Sequence, residues 1–461
     1  MPWETFDFPA IVRDIPTAMT GQPGPTADCS GQGLPRIPNG LPSSTNTLDF
    51  SFNYLPAIYN TTFVRLKELV SLDPTRCKIN CIFKDVLHHQ ADLETLILIA
   101  NQLMFLSDDA LAGPQSLKHL SLTQKSTDDL KFLPRMNLNS LETLDLGDND
   151  IDSLHDLNQF NWQKMTINLP MNSLQNISAA EVAVLKKASL LNVSFKGNSI
   201  VYIKPNSFES CHFNSLDFSD CLSEGDISMT SLTHLILNQI SFKDLCQTNA
   251  ASLPQLTVLS VRGNQAQQLT FGMDFKESCL RNAIKLELLD WSHSRLLTDG
   301  AQCCEVQLAG LGQLHKLNLS YNVPATSMKW GDMPFNETSG LIELDCSNLK
   351  VTRVAHTAAG GPLRNLGQLR MLNISWKFGD FSVQWNLLEG LKSLEHLNLR
   401  GSSFKDGVVS NAINQIEMVD VDSVKALTEN SKIDLSGNPL TCNCSNIQLI
   451  GWIQSNANKA C

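Results

Sequence analysis

Cys77, Cys81, His88 and His89 fall close together and are of the types that hold zinc. Zinc ligands usually arrive in tighter paired spacings, and Cys77 and Cys81 each fill a place in a repeat set out below, so no metal or other cofactor is expected. His-Glu-x-x-His, Gly-x-Ser-x-Gly and a phosphate-binding Gly-Lys motif do not occur. The carboxylates are spread along the chain rather than focused on one cleft, which makes an enzyme the least expected class. The reactive side chains left are thirteen cysteines and the asparagines of seven Asn-x-Ser/Thr sequons: Asn60, Asn176, Asn192, Asn318, Asn336, Asn373 and Asn443. Disulfides and N-glycans both belong to an oxidising, secretory compartment, although several of these sequons are by-products of a recurring Leu-Asn-Leu-Ser phrase.

Cys246 and Cys279 lie on connecting segments that flank one repeat, a placement suited to a bridge between adjacent turns. The neighbouring Cys303 and Cys304 could close on each other or pair elsewhere, because spacing alone does not assign connectivity. Cys211 and Cys221 read as buried, free or paired. Cys346 takes a core leucine slot and reads as a buried thiol.

These residues are positioned by the phrase Leu-x-x-Leu-x-Leu-x-x-Asn, seen cleanly in Leu141-x-x-Leu144-x-Leu146-x-x-Asn149. Other copies end at Asn53, Asn101, Asn172, Asn198, Asn264, Asn322 and Asn438, and early copies recur every 24 residues. The period and pattern are those of a leucine-rich repeat. The last two leucines alternate on a short strand and enter the interior with the first. The ninth residue sits where the chain leaves the strand, and its amide can satisfy backbone groups of adjacent turns; Cys77 and Cys221 take the same slot. The expected fold is an α/β leucine-rich-repeat solenoid, a horseshoe. Its parallel sheet would line the concave face, loops and short helices the convex face, and cysteine-containing caps would close the ends. About sixteen repeats are expected over 45–440, weakest near Ile240, Leu349 and 405–430, where Ile413, Ile416 and Met418 could form a strand. Pro74 replaces the third leucine of its repeat, and a local distortion is expected there.

A formal net charge of −11 disfavours nucleic acid as the main partner, since phosphate binding needs a basic face. No apolar run approaches the length that spans a bilayer, and Met1 to Gly24 lacks the apolar segment of a secretory signal. Any membrane attachment would therefore use a segment absent from this chain. Residues 1–28 read as irregular or non-native and 29–44 as a partial N-terminal cap. Residues 441–461 read as a C-terminal cysteine-rich cap clipped after its third cysteine.

Several stretches outside the repeat consensus resemble the Toll-like receptor ectodomain, and within that family its radioprotective B-cell branch. They include Phe50-Ser-Phe-Asn-Tyr-Leu-Pro, Thr75-Arg-Cys-Lys-Ile-Asn, Gly113-Pro-Gln-Ser-Leu-Lys-His-Leu and Asp244-Leu-Cys-Gln, together with 299–308 and Cys442-Asn-Cys-Ser-Asn-Ile. The likeness implies a cell-surface or secreted immune protein, paired with a secreted MD-family β-cup lipid-binding co-receptor and with a Toll-like receptor as a further partner, that modulates lipopolysaccharide responses. It also implies a Cys442–Cys461 bridge in the C-terminal cap and suggests a vicinal Cys303–Cys304 bond. The alternative is a secreted decoy or adhesion scaffold with no membrane signalling.

Concave strand positions between the leucines are the default contact surface. In the earlier repeats they include Lys118, His119, Ser121, Glu142, Thr143 and Asp145. Asn192, Asn318 and Asn373 are expected to project onto the same face, where glycans would shield it.

Overall fold

The computed structural model describes residues 24–455 apart from 108–109, 124–137, 160–162, 222–223, 226, 228, 241–252, 265–277, 295–301, 305, 323–327, 331–334, 350, 355–360, 376–384, 389, 402–430 and 439–446. The strand expected around Ile413 to Met418 lies outside these residues. The chain divides into two compact units, residues 1–226 and 227–461.

In the first unit, short strands at Thr26–Asp28, Thr47–Asp49, Ser71–Asp73, Thr95–Ile97, His119–Ser121 and Thr143–Asp145 pair in parallel, each with the next. Lys164–Asn168, Leu190–Ser194 and Phe213–Asp217 continue the ladder. The second unit repeats the arrangement from His234–Ile236 through Val258–Ser260, Leu288–Asp290, Lys316–Asn318, Glu343–Asp345, Met371–Asn373 and His396–Asn398 to Lys432–Asp434. Register is kept by the leucines: Leu72 opposes Leu96, Leu96 opposes Leu120, and Leu317 opposes Leu344. All of these are buried, each stabilising its rung by roughly 1.5–3 kcal/mol. Among the described residues three small parallel sheets, such as Ala57–Ile58 with Cys81–Ile82 and Phe105–Leu106, close the far side of the rungs. Among the described residues the α-helix is Ile447–Ser455, and the other helical pieces are short 3-10 turns. This is the leucine-rich-repeat solenoid.

The ninth-position asparagines act as seams between rungs. Asn101 accepts from the N–H groups of Cys77 and Ile79, both at 3.0 Å, and donates to the carbonyls of Pro74 and Leu98. Asn172 does the same for Asn149 and Ile151. Where cysteine takes the slot, its thiol keeps only the donor half: Cys77 donates to the Phe50 carbonyl and Cys221 to that of Phe218.

Two expectations need refining. The distortion at Pro74 is confined to the ladder. Pro74 stays buried like the leucine it replaces, but it has no N–H, and the pairing between Ser71–Asp73 and Thr95–Ile97 stops after Leu72↔Leu96. At the N-terminus, the stretch read as irregular already contains a strand of the sheet, Thr26–Asp28. It has no leucine phrase, so periodicity passed over it.

Candidate partner-binding face

Residues between the rib leucines stand on the exposed side of the strands, and in the first unit they form a polar face. Thr47, Ser71, Thr95, His119, Thr143 and Thr166 share one column, all half-buried. The residue that precedes this column carries the longer charges. Lys118 Nζ meets Glu94 Oε1 at 2.8 Å across one rung, and this hydrogen bond, chiefly, raises the Lys118 pKa. Burial pushes the His119 ring below its usual value; Glu142 opposes the shift and Lys118 adds to it. His119 therefore stands neutral on this face at physiological pH, flanked by Lys118 and Glu142.

Lys118, His119, Thr143 and Asp145 are half-buried, and Glu142 is exposed. The structure thus gathers five of the six expected contact residues on adjoining strands. Ser121 is the exception. It is fully buried, covered by its ladder neighbours Ile97 and Asp145, with its hydroxyl turned toward Asp145 Oδ2 at 3.4 Å. Its side chain is too short to clear larger neighbours, so it offers nothing to a partner.

The same geometry corrects the reading of Asn318 and Asn373. Both stand in the column after the second leucine, but each is only 7% exposed. Asn318 Oδ1 accepts the Ser320 N–H at 2.9 Å. Asn373 accepts the Ser375 N–H and donates its amide to Asp345 Oδ2 at 3.1 Å. Asn192 is half-buried, donating to Thr166 Oγ1 and accepting from Asn214. Asn192 stands in the same half-buried outward column as Thr166, whereas Asn318 and Asn373 are structural amides, not projecting ones.

They belong to a wider pattern that periodicity missed. Asp49, Asp73, Asp145, Asp217, Asp290, Asp345 and Asp434 each accept the backbone N–H two residues on, at 2.8–3.1 Å. This is an Asx turn at the strand exit of rung after rung. Its signal was present in the sequence as Leu-Asp/Asn-apolar-Ser. Burial raises the pKa of Asp73, Asp290 and Asp345. Three residues further on, the chain turns left-handed: Phe52, Arg76, Met171, His293 and Tyr321 all have φ between 51° and 57°. That column is also outward-facing. Arg76 lies over the Phe52 ring at 5.4 Å, and His293 stacks on Tyr321 at 4.5 Å.

Cys279 and Cys304 are disulfide-bonded, and both are buried. Cys246, Cys442, Cys461 and Asn443 lie outside the described residues, as does the side chain of Cys303. Cys29, Cys77, Cys81, Cys211, Cys221 and Cys346 are free thiols. Burial lifts Cys211 to about 11 and holds Cys346 well above the ordinary thiol value, so both are inert. Asn60, Asn176 and Asn336 are exposed. No group of three or more candidate metal ligands occurs among the described residues, nor does a helix long and apolar enough to cross a membrane.

A seamed solenoid with an open strand face is a leucine-rich-repeat fold of the kind that offers a recognition surface. No family model matches the chain. It is 30% identical to human CD180 antigen, over 94% of this chain and 85% of that protein, and 29% identical to mouse CD180 antigen with the same coverage. The chain belongs to the CD180 family. Feline Toll-like receptor 4 is 27% identical over 83% of this chain and 54% of its own length. Among solved structures, Toll in its complex with Spatzle gives a TM-score of 0.60 at 16% identity, covering 91% of this chain and 58% of Toll. The mouse RP105/MD-1 complex gives 0.42 at 25%, covering 95% and 96%. The human CD180 alignment runs over 591 positions, more than a hundred beyond the chain's 461 residues. At least 130 aligned positions of that relative therefore have no counterpart in this chain.

Proposed function

We propose that this chain is the ectodomain of a cell-surface or secreted CD180-type receptor. In this reading it binds a secreted MD-family β-cup lipid-binding co-receptor and modulates lipopolysaccharide responses, with a Toll-like receptor as a further partner. The observation that carries the reading is the CD180 likeness across nearly the whole chain. The surface that best suits the co-receptor is the strand face of the first unit. Lys118, His119, Glu142 and Thr143 are accessible there, and opposed charges lie at its margin. Such charges steer encounter and set register more than they add affinity. The chain would act by assembly and would perform no chemistry.

Co-expression with an MD-family protein, followed by pull-down of the secreted chain, tests the proposal. A stable one-to-one complex, weakened by Lys118→Glu, is the expected result. Failure to capture the MD-family protein under conditions where a CD180 relative captures it would end the proposal.

A further inference from the structure

On the side opposite the strand face, the small sheet Ala57–Ile58, Cys81–Ile82, Phe105–Leu106 turns Ile58, Ile82 and Leu106 inward, where they are buried. The alternation of a strand then forces their neighbours outward. Those neighbours are apolar. Tyr59 stacks on Phe83 with ring centroids 4.9 Å apart and planes 9° from parallel, and Phe83 meets Phe105 at 6.0 Å. All three rings are exposed, the adjoining Met104 is 79% exposed, and the free thiol of Cys81 lies half-buried among them. A contiguous apolar face of this kind marks a surface that is covered in use.

The residue after Tyr59 says what covers it. Asn60 is exposed and begins the sequon Asn60-Thr61-Thr62. Thr62 is tied back to the aromatic residue: its N–H donates to the Tyr59 carbonyl at 2.9 Å, and its hydroxyl accepts the Tyr59 N–H at 3.0 Å. The turn therefore fixes the attachment point beside the first ring of the stack. The face of an aromatic ring carries partial negative charge, and the polarised C–H face of a pyranose is its complement.

We propose that Asn60 carries an Asn-linked oligosaccharide that lies over the face formed by Tyr59, Phe83, Phe105 and Cys81. Attachment joins the Asn60 amide nitrogen to the anomeric carbon of an oligosaccharide borne on a lipid pyrophosphate. The donor's anomeric carbon–oxygen bond breaks, the pyrophosphate leaves with the electron pair, and the amide gives up one proton. Among the described residues, the other exposed sequon asparagines have no comparable aromatic stack at their side: Asn176 faces the single ring of Tyr202 across its small sheet and Asn336 adjoins buried Phe335, while Asn318 and Asn373 are packed into the strand ladder.

The test uses the whole chain secreted from mammalian cells. Peptide mapping reads occupancy at Asn60. The rate at which a maleimide alkylates Cys81 is then measured before and after native endoglycosidase trimming, and in Asn60→Gln. Occupancy at Asn60, with a several-fold faster Cys81 reaction once the glycan is removed, is the expected result. Asn176→Gln should leave that rate unchanged, and buried Cys346 should stay unreacted throughout as the control for folding. An unmodified Asn60, or a Cys81 rate indifferent to trimming, overturns the proposal. Trimming acts on folded protein, so the test holds even if Asn60→Gln is poorly secreted.

Discussion

The two units use the same ribs but present different strand faces. In the first unit the column between the leading leucines is mostly hydroxyl-bearing: Thr47, Ser71, Thr95, Thr143 and Thr166, with His119 among them. In the second unit the same column opens on half-buried His234, becomes apolar and buried at Val258 and Leu288 and then turns charged, with Lys316 and Glu343 at 2.8 Å. A fork of Arg370 onto Glu395, at 2.7 and 2.8 Å, borders it. That fork raises the Arg370 pKa and lowers that of Glu395. Fold and recognition are thus written in separate columns of one repeat. Leucines set the rung, and the residues between them are free to differ.

Leu96→Ala in the first unit and Leu317→Ala in the second test this separation most severely. Each should cost about 2–5 kcal/mol in denaturant unfolding, despite the contrast in their faces. A marked inequality would show that the ribs are not equivalent. Next, Asn101→Ala and Asn322→Ala remove amides that bond both their own rung and the one before. A loss of about 2–4 kcal/mol is expected for each, because the former partners remain buried.

Charge reversal then asks which face is used. Lys118→Glu should weaken capture of an MD-family protein about tenfold, equivalent to about 1.4 kcal/mol, while Lys316→Glu should leave it nearly unchanged. Equal effects in a binding titration would erase the functional difference between the units. The smallest effect is expected from Asp290→Asn. Burial raises the folded pKa of Asp290 above its ordinary value. The folded state therefore holds the proton more tightly, and the carboxyl's contribution falls as pH rises from the unfolded value through the folded one. The amide keeps the acceptor for the Ser292 N–H. The variant should accordingly be more stable than the parent at neutral pH, with the advantage shrinking as pH falls toward the unfolded carboxyl value, as thermal melts across pH would show.

The repeating leucines and the ninth-position amides were legible in the chain because both recur at fixed spacing and have one physical role each. Asn101 and Asn172 make the bonds expected of them. The strand face was legible as a set of positions, but not in its detail. Whether a short side chain between two leucines reaches solvent depends on its neighbours across the ladder, and these hide Ser121, Asn318 and Asn373. The Asx turns went unread for a different reason. Asp345 and Asn373 look like surface polar residues until the backbone two residues on is seen to need an acceptor. The aromatic stack at Tyr59 joins side chains 22 to 24 residues apart, which composition and spacing do not bring together.

The seams formed by Asn101, Asn172 and Asn322 are nearly interchangeable: each offers the same acceptor to the rung before it and the same donors to the carbonyls on either side. A whole rung can therefore be excised and the flanking pieces rejoined without leaving mismatched hydrogen bonds. What changes with each excision is the reach of the surface, and with it the size of the protein that can be held.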